Sequence, residues 1–172
     1  MQSSFNNLVV MKVILLLLPI VITLTCCKHD SAEFRMQYDH FINTEIQHLS
    51  YQNYLDSMIS LSTDPALKNL AALRKDQSAR IMLELSDFVH EPISLKNEDL
   101  EKTEKIKAIS KAQLPKQLLF QVVLADQEWL GLHVKASIST GLVDEKLRIW
   151  AEGKSRILRD RLEASQHAWM IR

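Results

Sequence analysis

The sequence is poor in residues that punctuate turns and residues that crosslink chains. Three glycines and four prolines in 172 residues are too few for a turn-rich sandwich or barrel. They also leave no glycine-rich phosphate loop of the GxxxxGKS or GxGxxG kind. The two cysteines, Cys26 and Cys27, are neighbours. A bridge between them closes almost no loop, and no disulfide can staple the rest of the chain. Charge of one sign is missing as well, with 21 Lys and Arg against 21 Asp and Glu. A nucleic-acid binder carries a basic surplus to displace counterions from phosphate, and this chain has none. What remains is 47% hydrophobic and 24% charged, the composition of an ordered chain with room for one domain.

The apolar residues are concentrated first at the N-terminus. Lys12 is the only charge before Lys28, and it precedes the run Val13 to Thr25, interrupted by Pro19. A bilayer core of about 30 Å needs about 20 helical residues, so the run fits the apolar region of an export signal. A membrane span from Leu8 to Cys27 is the rival reading, weakened by Lys12 and Pro19 within it. Met11-Lys12 is the more natural start of such a signal than Met1. The segment closes on Leu24-Thr25-Cys26-Cys27, which resembles the bacterial lipoprotein box, with Leu24 at −3 and Cys27 as the acylated thiol. Cys26 at −1 departs from the usual Gly, Ala or Ser. The expected organisation is a signal peptide over 1–26, acylated Cys27 with a short tether over 27–33, and a folded domain over 34–172. Three acyl chains exceed the two membrane signals that stable anchoring needs.

Four later segments repeat apolar residues at three- and four-residue spacing, the period of a helix buried on one face. The first, from about Ser31 to Leu61, lines up Phe34, Tyr38, Phe41, Glu45, His48, Gln52, Leu55 and Ile59. Asp64-Pro65 then supplies a cap and a first-turn proline for the second, which runs to about Val89. The third starts at Pro115 and ends at Gly141, read as a left-handed terminator. The fourth runs from about Val143 to Met170. Short links make each successive pair antiparallel, and the long link over 90–114 can travel the length of a bundle about 39 Å tall. The expected fold is all-α: a four-helix bundle of two antiparallel hairpins joined by a long crossover, the ferritin-like arrangement.

Asp64-Pro65-Ala66-Leu67-Lys68-Asn69-Leu70-Ala71, together with the stretch from Gly141 to Ala151, resembles an uncharacterised ferritin-like family of bacterial exported and outer-membrane proteins. The resemblance spans roughly Tyr38 to Gln166 and implies a fold; the family brings no established activity. Its members often carry histidines near the middle of their later helices. The matching positions here are Gln77 or Ser78, Gln127 and Arg161, so this chain departs from that pattern.

Ferritin-like di-metal sites take a Glu from each of two helices and a Glu-x-x-His from each of the other two. One such pair exists on a helix face, Glu45 and His48, which makes them the metal candidates. The nearest second pair, Asp87 and His90, lies about 18 Å along the axis from the level of His48. Around mid-bundle the other helices offer Arg74 and Gln77, then Asp126, then Arg161. Cations beside carboxylates suit a charge-compensated interior network of Glu45, His48, Arg74, Gln77, Asp126 and Arg161. His133 is two turns from Asp126, too far for a dyad with it. Trp129, Trp150 and Trp169 fit packing roles.

No catalytic set and no cofactor motif assembles, so no cofactor is expected. The leading expectation is a non-enzymatic lipoprotein module of the outer membrane, facing the periplasm and contacting an envelope protein or a small apolar ligand. The alternative is a metal-dependent ferritin-like enzyme or metal-binding protein using Glu45 and His48. A third reading is a sensing module whose ion network of Arg74, Asp126 and Arg161 switches the packing.

Overall fold

A computed structural model describes residues 35–89, 93 and 114–172. The leader, Cys27, the tether, His90 and most of the long link lie outside these residues. The described residues form four helices: α1 Tyr38–Ser60, α2 Pro65–Leu85, α3 Leu114–Ser137 and α4 Glu145–Met170. The chain is therefore an all-α four-helix bundle, as the periodicity predicts. α3 packs most extensively on α4, α1 lies against α2 and α3, and α2 lies against α4.

The local reasons for these boundaries are polar. Asp64 accepts the Ala66 N–H at 2.8 Å, and Pro65 occupies the first turn of α2, where its missing N–H leaves nothing unsatisfied. Arg172 at the C-terminus also reaches Asp64. Its hydrogen bond, followed by that of the Ala66 N–H, holds the Asp64 carboxyl below its usual range. Asp144 caps α4 through the Leu147 N–H at 2.8 Å. That cap starts the helix at Glu145, two residues later than the apolar pattern suggests. α1 begins at Tyr38 and not near Ser31, because Gln37 is extended and Met36 pairs with the α3–α4 loop (Met36 N to Gly141 O, 2.9 Å). α2 stops at Leu85, short of Val89. Ser86 to Phe88 turn out of the helix, and the Tyr38 hydroxyl donates to the Phe88 carbonyl.

Gly141 corrects a second expectation. No described residue has a left-handed backbone, so Gly141 does not end α3 by adopting one. The glycine is required by proximity instead. A Cβ there would run into the carbonyl oxygens of Lys135 and Ala136, while the Leu142 N–H closes the turn onto Ala136 O at 3.0 Å.

The connectivity follows from which ends meet. Leu85 packs with Phe41 and Leu147 near the start of α1, whereas Leu118 and Leu119 pack with Ile59 and Leu67 at the opposite end. The end of α2 and the start of α3 are thus at opposite ends of the bundle. The core is split to match. One apolar cluster gathers Phe41, Leu49, Ile81, Trp129 and Leu158, and the other gathers Leu55, Ala71, Leu118, Val122 and Ala125. Between the two lies a polar layer.

Candidate functional site: a buried ion quartet and a histidine–carboxylate pair

Each helix sends one charged side chain into that layer: Asp56 from α1, Arg74 from α2, Asp126 from α3 and Arg161 from α4. All four are essentially sealed from solvent. Arg74 donates from Nε to Asp56 Oδ1 at 2.5 Å and from Nη1 to Asp126 Oδ2. Arg161 bridges the same two carboxylates, from Nε to Asp126 Oδ1 at 3.0 Å and from Nη2 to Asp56 Oδ2 at 3.1 Å. The ring is closed and neutral, with every carboxylate oxygen engaged.

Most of the remaining guanidinium hydrogens also find acceptors. Gln52 Oε1 receives Arg74 Nη2 at 2.5 Å and Arg161 Nη2 at 3.1 Å. Arg161 Nη1 donates to the Arg74 carbonyl at 2.7 Å and to Ser78 Oγ at 3.1 Å. Ser165 sits between Arg74 Nη1 and Asp126 Oδ2, at 2.7 and 2.6 Å. The Arg161 guanidinium also lies 5.2 Å from the centre of the Trp129 ring, a cation–π contact.

Charge governs the electrostatics here. Burial pushes the Asp126 carboxyl upward, but the Arg74 and Arg161 charges and the hydrogen bonds from Arg74 and Ser165 outweigh it and hold the group below its ordinary range. Burial pulls Arg74 down, and the two carboxylates more than offset it, so its pKa is raised. Arg161 is pulled down by burial and by Arg74 beside it, with Asp126 and Asp56 acting in the other direction. Both arginines stay charged throughout the useful pH range.

The second buried polar cluster lies towards the Tyr38 end of the bundle. Glu45 Oε2 accepts from Trp129 Nε1 at 2.8 Å and meets His133 Nε2 at 2.9 Å. The other ring nitrogen, Nδ1, faces the Ala151 carbonyl at 3.2 Å. Both ring nitrogens of the imidazole are therefore within hydrogen-bond distance of an oxygen. Its faces and edges are enclosed by Phe41, Trp129 and Trp150, at centroid distances of 5.6, 6.3 and 5.4 Å. Glu45 Oε1 is buried with no hydrogen-bond partner, and so is Gln52 Nε2.

The placement of the sequence candidates is therefore mixed. Arg74, Asp126 and Arg161 meet in one network. Glu45 is buried but belongs to the other cluster, and its partner is His133, not His48. His48 is only half-buried. Gln77 is half-buried and stays out of the network, its Oε1 without a partner. Lys154 turns outward to Glu84, which also accepts from Trp150 Nε1 at 3.0 Å. Among the described residues, no three His, Cys, Asp or Glu side chains gather closely enough to hold a metal ion. Trp129 and His133 from α3 hold Oε2 of Glu45.

Asp56, Ser165 and His133 were missed as site residues. Asp56 follows Gln52 by four residues and so shares its helical face, which is the signal that could have found it. His133 carried no such signal, because its partner is on another helix.

At the end opposite the Glu45 cluster, Met58, Ile59, Leu67, Pro115, Leu118 and Leu119 line an apolar groove of about 470 Å³, counting the solvent in its mouth. No described helix is long and apolar enough to cross a membrane. No protein-family model matches the chain, and no curated protein or solved structure matches it.

Proposed function

We propose that this protein is a lipid-anchored bundle of the bacterial cell envelope, held at the outer membrane through Cys27 and facing the periplasm, that works by binding and not by catalysis. The leader and its Leu24-Thr25-Cys26-Cys27 ending support the anchor. The likeness of residues 64–71 and 141–151 to the ferritin-like exported family supports the setting. The observation that carries the non-catalytic half is the ion quartet. The mid-bundle level, where a ferritin-like centre collects its carboxylates and histidines, is filled by two guanidiniums that occupy all four carboxylate oxygens of Asp56 and Asp126. Those oxygens are committed to charge-assisted hydrogen bonds, which are strong and directional. The groove between Ile59 and Leu118 offers a small apolar ligand or a partner side chain a place to bind.

The test is the intact mass of protein extracted from membranes. A chain beginning at Cys27 and carrying diacylglyceryl and an N-acyl group is expected. An unprocessed chain with a free thiol at Cys27 would overturn the anchor. Elemental analysis of the same sample tests the binding reading. Stoichiometric iron, manganese or zinc that disappears in His48→Ala would overturn it in favour of a metal protein.

A further inference from the structure

Building on the groove between Ile59 and Leu118 as the binding place proposed above, we infer that it takes a small, uncharged, flat aromatic molecule. The groove is the two-fold counterpart of the space that Trp129 fills at the other end of the bundle.

The two-fold relation is visible in the quartet. Arg74 gives its Nε to Asp56 of its own hairpin, and Arg161 gives its Nε to Asp126 of its own. Each arginine gives an Nη to the aspartate of the other hairpin. Each also reaches the serine four residues beyond the other arginine, Arg74 to Ser165 and Arg161 to Ser78. Exchanging α1 with α3 and α2 with α4 therefore reproduces the ring. Gln52 is an exception, serving both arginines where α3 has Val122. Since α1 and α3 run in opposite directions, the exchange also swaps the ends of the bundle. Residues equally far from the quartet along exchanged helices then share a level and a face.

Counting outward from the ring brings the groove onto the aromatic cluster. Three residues after Asp126 stands Trp129, and three after Asp56 stands Ile59. Seven before each aspartate both halves have leucine, Leu49 and Leu119. Eleven before, Glu45 corresponds to Pro115. Trp129, Leu49 and Glu45 belong to the filled end, whereas Ile59, Leu119 and Pro115 line the groove. Smaller side chains surround the groove: Ala71 stands in the place of Leu158, and Ala168 in that of Ile81. Trp169 takes the place of Met82, but its ring packs on Phe120 at 5.7 Å. α1 also ends at Ser60, before a counterpart of His133 can enter. The groove is the space that an indole and an imidazole occupy in the other half.

The walls select the ligand. At the filled end the indole N–H of Trp129 meets Glu45 Oε2 at 2.8 Å. Pro115 offers no side-chain acceptor at the corresponding position, so the groove suits a ring with no donor to satisfy. Ser62 is the one polar residue in the lining, and a charged ligand would lose hydration there without compensation. Met58 contributes a thioether, which packs favourably against aromatic rings. A flat ring is also already rigid, whereas an alkyl chain gives up rotamers on entering.

Methyl NMR of the full chain in lipid nanodiscs tests this, with dialysis fixing the free concentration of each compound. 1-Methylindole is expected to shift the Met58 and Ile59 methyl signals, and hexane at the same free concentration to move them at least about threefold less. Ile59→Trp builds the missing indole into the chain and should abolish the Met58 shift. Pro115→Glu supplies a counterpart of Glu45 at an exposed position. It should raise the affinity for indole relative to 1-methylindole by about threefold or more, the worth of one hydrogen bond. Hexane matching 1-methylindole overturns the aromatic assignment and leaves the groove as an apolar site. No shift with either compound overturns the groove as a binding place as well. Undiminished binding in a folded Ile59→Trp, or an unchanged indole preference in Pro115→Glu, overturns the two-fold equivalence on which the ligand class depends.

Discussion

The bundle holds two buried polar clusters on neighbouring levels, and they are satisfied to different degrees. In the quartet, two arginines and two aspartates cancel, and every carboxylate oxygen accepts at least one hydrogen bond. In the Glu45 cluster one carboxylate oxygen accepts twice while the other accepts nothing. The first ties all four helices together. The second joins α1 to α3 and, through the Ala151 carbonyl, to α4. Buried ions cost several kcal/mol each to desolvate, so a group of them tolerates loss only when charge and hydrogen bonds are removed together. The quartet should therefore resist partial change and accept complete change, whereas the Glu45 cluster should respond in smaller steps.

The largest expected effect is from breaking the quartet once. Arg161→Met leaves Asp56 and Asp126 with one cation between them, and chemical denaturation should register a loss of about 3–5 kcal/mol. Replacing all four ions with apolar residues of similar volume should be neutral or stabilising by about 1–4 kcal/mol. A quadruple variant less stable than Arg161→Met would contradict this account of the layer.

Acid should act on the quartet in the same direction. Asp126 has a folded pKa below its unfolded value of about 3.9. Its contribution is thus fully present above that value and is lost as the pH falls towards the folded one. Stability measured from pH 6 downward should hold to about pH 5 and then decline. In Asp126→Asn, already weaker at pH 6, that decline should be shallower.

A smaller step is expected at the second cluster. Glu45→Gln keeps the shape but removes the charge facing His133, and it should cost about 1–3 kcal/mol, the range for one unsatisfied buried group. A loss equal to that of Arg161→Met would erase the distinction between the clusters. The smallest effect belongs to the partly exposed pair of Lys154 and Glu84. There Lys154→Ala should change stability by no more than about 1 kcal/mol.

How much of this was legible in the sequence depends on where each partner lies. The helices were readable because their apolar spacing and their caps are local, as at Asp64-Pro65. Arg74, Asp126 and Arg161 were readable as an interior set because charged residues at matching depths of amphipathic helices must compensate one another. Asp56 was within reach, four residues after Gln52 on the same face. The pairing of Glu45 with His133 was not. It depends on the register between antiparallel α1 and α3, which are joined only through a long connection, and no local spacing encodes that register. Gly141 misled for a related reason. A glycine at a helix end suggests a left-handed turn, yet here the returning carbonyls of Lys135 and Ala136 leave no room for a side chain.

The closed ring of Asp56, Arg74, Asp126 and Arg161 also bears on descent. Because any one replacement strands a charge in the interior, the four positions cannot drift separately. Among relatives of this chain they should be inherited as a block, either all ionic or all apolar, with mixed states confined to lineages where a second change has restored neutrality.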